Sequence, residues 1–152
     1  MKRIRRKSSR LIIRDFRIED YDCVVELWTS AGLPYRPKGR DGRERIADEL
    51  KKGTAIFLVA ELDGKIVGCV LGTQDGRKGW LNRLAVRPEF QRRGIARMLV
   101  EEVEKRLSGM GIGISAALVE NWNEKSMDVF ERLGYTRHDD ITYFSKRKSQ
   151  DV

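Results

Sequence analysis

The stretch of sequence that decides the fold is Leu84-Ala85-Val86-Arg87-Pro88-Glu89-Phe90-Gln91-Arg92-Arg93-Gly94-Ile95-Ala96-Arg97. An apolar run typical of a buried strand ends at a proline, and a short basic turn then leads into a long amphipathic helix. The first turn of a helix has unpaired amides and carries the positive end of the helix dipole, so it favours an anion, most often a phosphate. We therefore predict a pyrophosphate site, where the turn's arginines add charge and Gly94 permits close approach.

The patterns on either side of this stretch predict a single α/β domain. Apolar runs of strand length and apolar positions at helical spacing alternate along the chain. The predicted strands are 11–16, 55–62, 65–73, 80–86, 112–119 and 142–144, and the predicted helices are 19–31, 41–52, 95–109 and 123–134. This order is typical of one sheet of mixed direction with helices on both of its faces.

Local signals add detail at the ends of these elements. The dipeptides Asp63-Gly64 and Asp75-Gly76 favour tight hairpin turns. Asp41, with Glu44 three residues later, is predicted to be the N-cap of the second helix. Alternation along 112–119 places Ile112, Ile114, Ala116 and Leu118 on one face of a strand.

Composition excludes several classes of protein. The 152 residues suit one domain with an ordinary core. No apolar run approaches the about 20 residues that span a bilayer, and the N-terminus has no apolar segment of a secretory signal. Cys23 and Cys69 are predicted to be buried free thiols of a cytoplasmic protein. The single histidine, His138, excludes a histidine zinc site and a Ser-His-Asp triad, so no metal is predicted.

The net charge of +8 is concentrated at the N-terminus. Within residues 1–10 there is no acidic residue, and the basic ones are Lys2, Arg3, Arg5, Arg6, Lys7 and Arg10. We predict a basic arm over 1–9, a domain over 10–147 and a short tail over 148–152. The arm is either a solvated, mobile segment or a weak contact to nucleic acid or the ribosome.

Two motifs resemble those of the GNAT superfamily of N-acetyltransferases. The turn Gln91-Arg92-Arg93-Gly94-Ile95-Ala96 matches that family's acetyl-CoA signature, Gln/Arg-x-x-Gly-x-Gly/Ala, and a strand with Val-x-Pro precedes it. Farther on, Asn123-x-x-Ser126-x-x-Val129-Phe130-Glu131-Arg132-Leu133-Gly134-Tyr135 resembles the second motif, a helix that runs into Leu-Gly-Phe/Tyr. The motifs are in the family's order with one strand between them, and the resemblance covers roughly 10–147.

The resemblance implies a cosubstrate, acetyl-CoA, and a place for it. In this family the strand that ends at Val86 and the strand over 112–119 splay apart, and the cosubstrate enters between them. The pantetheine arm would pair with main-chain groups of the first strand, and the pyrophosphate with the turn's amides. The implied binding residues are Leu84, Ala85, Val86, Gln91, Arg92, Arg93, Gly94, Ile95, Ala96, Arg97 and Asn123.

The implied reaction is acetyl transfer to a primary amine of a small molecule or a protein, whose site is built largely from 32–40. The chain departs from the family at two positions. Phe130 replaces the tyrosine that serves as the acid in many relatives, and Leu118 replaces the glutamate of those that acetylate ribosomal N-termini. Our catalytic candidates are Glu120, Tyr143 and Asn82. Glu120 and Asn82 each have an ordinary alternative, as a surface carboxylate and an edge polar residue. In place of Tyr143, water can serve as the acid, or the thiolate can leave unassisted.

Two other functions stay open at this point. The departures at Phe130 and Leu118 are compatible with a module that senses acyl-CoA without turnover. The basic arm is compatible with a protein that associates with nucleic acid or the ribosome. A homodimer is also open, and no membrane partner is predicted. Dinucleotide-binding and P-loop functions are excluded, because neither Gly-x-Gly-x-x-Gly nor Gly-Lys-Ser/Thr occurs.

Overall fold

A computed structural model of the chain describes residues 10–152, so the predicted basic arm over 1–9 lies outside it. The elements in chain order are β1 Leu11–Asp15, α1 Tyr21–Ser30, α2 Arg43–Lys51, β2 Ala55–Leu62, β3 Lys65–Gln74, β4 Gly79–Val86, α3 Ile95–Gly109, β5 Ser115–Ala117 and α4 Glu124–Arg132. The sheet order follows the chain order from β1 to β5. All neighbours are antiparallel except β4 and β5, which are parallel. The predicted mixed sheet is confirmed.

Both predicted hairpin turns form. Asp63 and Gly64 have φ values of 50° and 83°, the left-handed conformation that a two-residue hairpin requires. In the next turn the Asp75 carboxylate accepts hydrogen bonds from the amides of Arg77 and Lys78, each at 2.8 Å. These turns place β2, β3 and β4 side by side, and that meander carries the candidate site at its end.

The sheet has a helix layer on each face, as predicted. On one face α3 and α4 cover a core that includes Leu99, Val103, Leu107 and Phe130. On the other face α1 and α2 cover an aromatic core of Phe16, Phe57 and Trp28. The Phe16 and Phe57 rings stack with their centroids 4.1 Å apart. Full burial of such a side chain contributes about 1.5–3 kcal/mol, so both layers hold the sheet in place.

The sequence prediction fails in two places after α3. The predicted strand over 112–119 is reduced to β5, so Ile112, Ile114 and Leu118 lie outside the strand whose face they were predicted to share, and Ile114 and Leu118 are 52% and 53% exposed. The predicted last strand over 142–144 does not form, and Phe144 is 87% exposed. A strand needs a neighbouring edge for its amides, and β5 is only three residues long. The apolar pattern of these segments was therefore not enough to form strands.

The predicted N-cap of α2 is also wrong. Gly42 occupies the N-cap position, and no side chain caps this helix. The Asp41 carboxylate faces inward instead, where its Oδ2 atom accepts a 2.6 Å hydrogen bond from the amide of Arg36 and another from Arg83. A buried cation thus holds Asp41 away from the capping position.

The two cysteines differ in environment. Both are free, as predicted, but Cys23 lies on the exposed side of α1 and only Cys69 is buried, which corrects the prediction of two buried thiols. Burial raises the pKa of the Cys69 thiol to about 12.

We expect an aromatic disulfide reagent at pH 8 to modify one thiol per chain quickly and the second only after unfolding, because the thiolate is the reactive form. Release of the coloured thiol measures both phases. In a Cys23→Ser variant the fast phase should vanish. Two fast thiols in the native protein would contradict this assignment.

Candidate active site

The strands β4 and β5 separate partway along the sheet. They pair only at Gly79 with Ser115, Trp80 with Ala116 and Leu81 with Ala117. Beyond that point β4 continues to Val86, and within residues 10–152 no strand pairs with this last part of its outer edge. A V-shaped gap therefore opens between β4 and the segment that follows β5. Because β5 is the last strand of this sheet, the gap lies at the sheet edge rather than between central strands.

A β-bulge interrupts β4 beside this gap. Cys69 of β3 pairs with Ala85 and Leu71 pairs with Asn82, so Arg83 and Leu84 together oppose the single residue Val70. Arg83 has a φ of 55°, a left-handed conformation that is uncommon for arginine. Bulges of this kind bend a strand and redirect its side chains, and they are frequent next to active sites. Nothing in the residue types around Arg83 predicted the bulge.

The bulge directs the Arg83 side chain beneath the loop between α1 and α2. Its guanidinium pairs with the Asp41 carboxylate at 2.6 Å, and the two side chains are only 11% and 5% exposed. It also donates to the carbonyl of Pro34 and lies over the Trp28 ring, 4.8 Å from the centroid. Burial lowers the pKa of Arg83, although the Asp41 charge opposes that shift. Arg83 thus fastens the loop over 32–41 to the strand that borders the gap.

The turn before α3 has the geometry that the sequence predicted. Arg92 and Gly94 have φ values of 62° and 80°. The first backbone bond of the helix runs from the amide of Met98 to the carbonyl of Gly94. In the part of the chain that the structure describes, the six amides of 92–97 donate no hydrogen bond to a protein acceptor. A Cβ atom at Gly94 would meet nothing within 4 Å, so there is open space beside the backbone at this glycine.

One side chain fixes this turn to the end of β4. The Gln91 side-chain amide donates to the carbonyl of Val86 at 3.1 Å. The Arg93 guanidinium lies over the Phe90 ring, 5.3 Å from its centroid. The amide of Arg87 donates to β3. Because successive amides of a strand point to opposite edges, the amide of Val86 points to the open edge. The free edge at the end of β4 is therefore followed directly in the chain by the turn before α3.

The gap forms a cleft that contains one of the three predicted catalytic residues. Its lining comes from β4, from the segment after β5, from α4 and from the loop between α1 and α2. The lining residues are Leu33, Leu81, Arg83, Leu84, Leu118, Val119, Glu120, Asn123, Ser126 and Phe130. Glu120 is the one catalytic candidate among them. Asn82 pairs with β3 outside this lining, and Tyr143 lies in the exposed C-terminal segment.

The helix α4 contributes the far wall of the cleft. Asn123 is its N-cap, as the sequence allowed, and the side-chain oxygen accepts a 3.2 Å hydrogen bond from the amide of Ser126. Phe130 is buried with its ring 5.0 Å from that of Tyr135. The Tyr135 hydroxyl donates to Ser115, and burial raises its pKa. The wall thus has an apolar ring at the position where we looked for a proton donor.

Two further properties concern only residues 10–152. No three side chains of histidine, cysteine, aspartate or glutamate lie together there in a way that could hold a metal ion. No helix in this part of the chain is both long and apolar enough to cross a membrane.

The chain belongs to the Acetyltransferase (GNAT) family, whose sequence model matches residues 19–135. Both motifs of the sequence analysis lie within this match, so the predicted family is confirmed. Membership defines the protein as an acetyltransferase of the GNAT fold.

Solved structures with the same fold include three acetyltransferases. PaiA N-acetyltransferase from Thermoplasma acidophilum, in complex with coenzyme A, has a TM-score of 0.74 at 23% identity, over 86% of this chain and 92% of that one. Aminoglycoside N-acetyltransferase AAC(6')-Iy, in complex with CoA, has a TM-score of 0.73 at 20% identity, over 93% and 98%. Glucosamine-6-phosphate N-acetyltransferase from Arabidopsis thaliana has a TM-score of 0.73 at 16% identity, over 92% and 99%. At these identities the likeness concerns the fold.

Proposed function

We propose that this protein transfers the acetyl group of acetyl-CoA to a primary amine of a small molecule or a protein, by direct attack in a ternary complex. The observation that supports this most is the row of six free amides over 92–97, which lies at the end of the open edge of β4. A diphosphate and a peptide-like arm are the two parts of coenzyme A that such a pair of features would bind.

The chemistry of the open edge and the turn suits coenzyme A. The diphosphate would accept hydrogen bonds from the amides of 92–97, in the open space in front of Gly94. The pantetheine arm would pair with the main chain of Leu84–Val86 in the manner of an added strand. The NH2 group of the Asn123 side chain is free to donate to the same arm, since only its oxygen caps α4. Arg92, Arg93 and Arg97 would add charge around the phosphates.

The cleft supplies groups for the transfer itself. An α-amine has a pKa of about 7.7–8.0 and is partly neutral near pH 7, whereas a lysine amine at about 10.4 needs a base or desolvation. The Glu120 carboxylate lines the cleft and would accept that proton. The amide of Val86, which points to the open edge, would stabilise the negative charge on the thioester oxygen. Holding both substrates in one cleft contributes further to the rate.

We expect Glu120→Gln to lower kcat/KM for the amine by about 100-fold, the usual size of a general-base effect. The pH profile of kcat/KM should also lose its acidic limb, since the amide cannot titrate. Glu124→Gln is the matched control, because Glu124 is exposed on the first turn of α4 and does not line the cleft. Equal rates for the two variants would remove Glu120 from the mechanism.

The proposed activity is tested by thiol release from acetyl-CoA with a panel of amines that includes polyamines, amino sugars and peptides with free N-termini. We expect release that depends on one amine class, together with a product heavier by one acetyl group in mass spectrometry. Tight binding of coenzyme A without turnover of any amine would instead favour an acyl-CoA sensor. That alternative is supported by the apolar residues Phe130 and Leu118 in the cleft wall.

The cytoplasmic location, the homodimer and the role of the basic arm stay predictions. Deletion of 1–9 separates the arm from the transfer reaction. Removal of the arm should leave acetyl transfer unchanged and abolish any binding to nucleic acid or ribosomes, which should also fall steeply with salt.

A further inference from the structure

The face of α4 that borders the cleft carries one hydroxyl group. Ser126 and Phe130 are four residues apart, so they lie on the same side of the helix, and both line the cleft. Phe130 has no proton to donate. Among the described residues that line the cleft, Ser126 is the only one with a hydroxyl group.

The Ser126 hydroxyl has a different environment from the two hydroxyls of α1. On α1 the hydroxyls of Thr29 and Ser30 donate to the carbonyls of Val25 and Leu27, at 2.9 and 2.8 Å. A serine or threonine inside a helix often donates such a bond to a carbonyl of the preceding turn. Ser126 lies in the first turn of α4, and within residues 10–152 its hydroxyl donates to no protein acceptor. Its proton is therefore free for a group inside the cleft.

The other polar groups of the cleft are less suited to meet a sulfur atom. The Arg83 guanidinium is already bound to Asp41 and Pro34. Glu120 has a carboxylate, which when ionised only accepts hydrogen bonds and repels an anion. The Asn123 side-chain oxygen caps α4, and its NH2 group is proposed above to contact the pantetheine arm.

We infer that Ser126 is a catalytic residue that donates a hydrogen bond to the sulfur of coenzyme A as the acetyl group leaves, in the place that Phe130 cannot fill. This rests on the proposed function. The amine nitrogen forms the new bond to the carbonyl carbon, the carbon–sulfur bond breaks, and its electron pair stays on sulfur as a thiolate. The proton of the attacking amine passes to Glu120 or water. Ser126 keeps its own proton, and the thiolate takes one from solvent on release.

The test uses the complex with coenzyme A alone, so it needs no knowledge of the amine. Ultraviolet absorbance of the thiolate follows ionisation of bound coenzyme A across pH, and a parallel titration with desulfo-coenzyme A provides the blank. We expect the bound thiol of the wild-type protein to ionise at lower pH than free coenzyme A. Ser126→Ala should raise its pKa by about one unit, the effect of losing one hydrogen bond to a charged group.

Three variants separate this role from a structural one. Ser126→Thr keeps the hydroxyl and should retain the wild-type thiol pKa. Phe130→Tyr in the Ser126→Ala background should restore it with a phenol. Ser30→Ala removes a hydroxyl that does not line the cleft and should change nothing. The dissociation constant of coenzyme A, measured by calorimetry, should stay within a few-fold in all of them.

Either of two results would overturn the inference while leaving the proposed function intact. One is an identical pKa for the bound thiol in wild type and Ser126→Ala, and the other is a wild-type bound thiol that titrates like free coenzyme A. Absence of coenzyme A binding to the wild-type protein would overturn the proposed function and this inference together.

Discussion

Replacing Arg83 with methionine should lower the free energy of unfolding by about 3–5 kcal/mol, the usual cost of leaving one partner of a buried ion pair alone. Arg83 is the ion-pair partner of Asp41, which is 3% exposed. The change also removes the bond to the Pro34 carbonyl and the contact with the Trp28 ring. Urea denaturation followed by tryptophan fluorescence measures the loss.

Two control variants test whether the loss of stability comes from the buried ion pair. Arg43→Met breaks an ion pair with Asp22 in which both side chains are exposed, and such pairs contribute only about 0–1 kcal/mol. Arg83→Met combined with Asp41→Asn leaves no unpaired buried charge and should recover part of the stability. If Arg83→Met is as stable as Arg43→Met, Arg83 does not hold the loop over 32–41 in the way described.

The second large effect concerns the turn before α3. Gly94→Val should lower the affinity for coenzyme A by about 100-fold, because a β-branched residue avoids the φ of 80° that aims the amides outward. Loss of two hydrogen bonds to a charged diphosphate accounts for an effect of about this size. Isothermal titration calorimetry with coenzyme A measures it.

A matched variant is available at the other end of the same helix. Gly111 has a φ of 78° just after α3, and a Cβ atom there would also meet nothing within 4 Å. Gly94→Val and Gly111→Val should therefore lose a similar stability, about 1–2 kcal/mol each. Only the first should lose affinity for coenzyme A. Parallel losses of affinity in both would show that general destabilisation, rather than the turn, is responsible.

The parts of the fold that the sequence predicted well are those determined by neighbouring residues. The hairpin at Asp63-Gly64 depends on backbone conformations that these two residues adopt easily, and the start of α3 depends on Gly94, its N-cap with a positive φ. The two helix layers follow from apolar spacing along each helix. Signals of this kind lie within a few positions of the element that they specify.

The parts that the sequence did not predict depend on contacts between distant residues. Asp41 has the local pattern of a helix cap, yet its carboxylate is held by Arg83, which lies 42 positions away in the chain. The bulge in β4 follows from pairing with β3 and has no signature in its own residue types. The apolar segment around Phe144 looks like a strand, but no described strand pairs with it. Local pattern does not contain this information.

The candidate site shows the same division. The free amides over 92–97 could be predicted, because they follow from the start of a helix, which is a local feature. Their binding to coenzyme A stays a prediction. Of the three catalytic candidates, only Glu120 lines the cleft. The sequence analysis gave no role to Ser126. The missing proton donor at Phe130 was a signal for it, because Ser126 lies one helical turn before Phe130 on the same side of α4.

The central claim is that the amides over 92–97 hold a diphosphate, and calorimetry with two ligands tests it most directly. Coenzyme A carries the diphosphate, whereas pantetheine has the same thiol arm without it. The account predicts saturable binding of coenzyme A at one site per chain, at least about 100-fold tighter than that of pantetheine. Equal affinities for the two ligands, or no heat with coenzyme A, would contradict it.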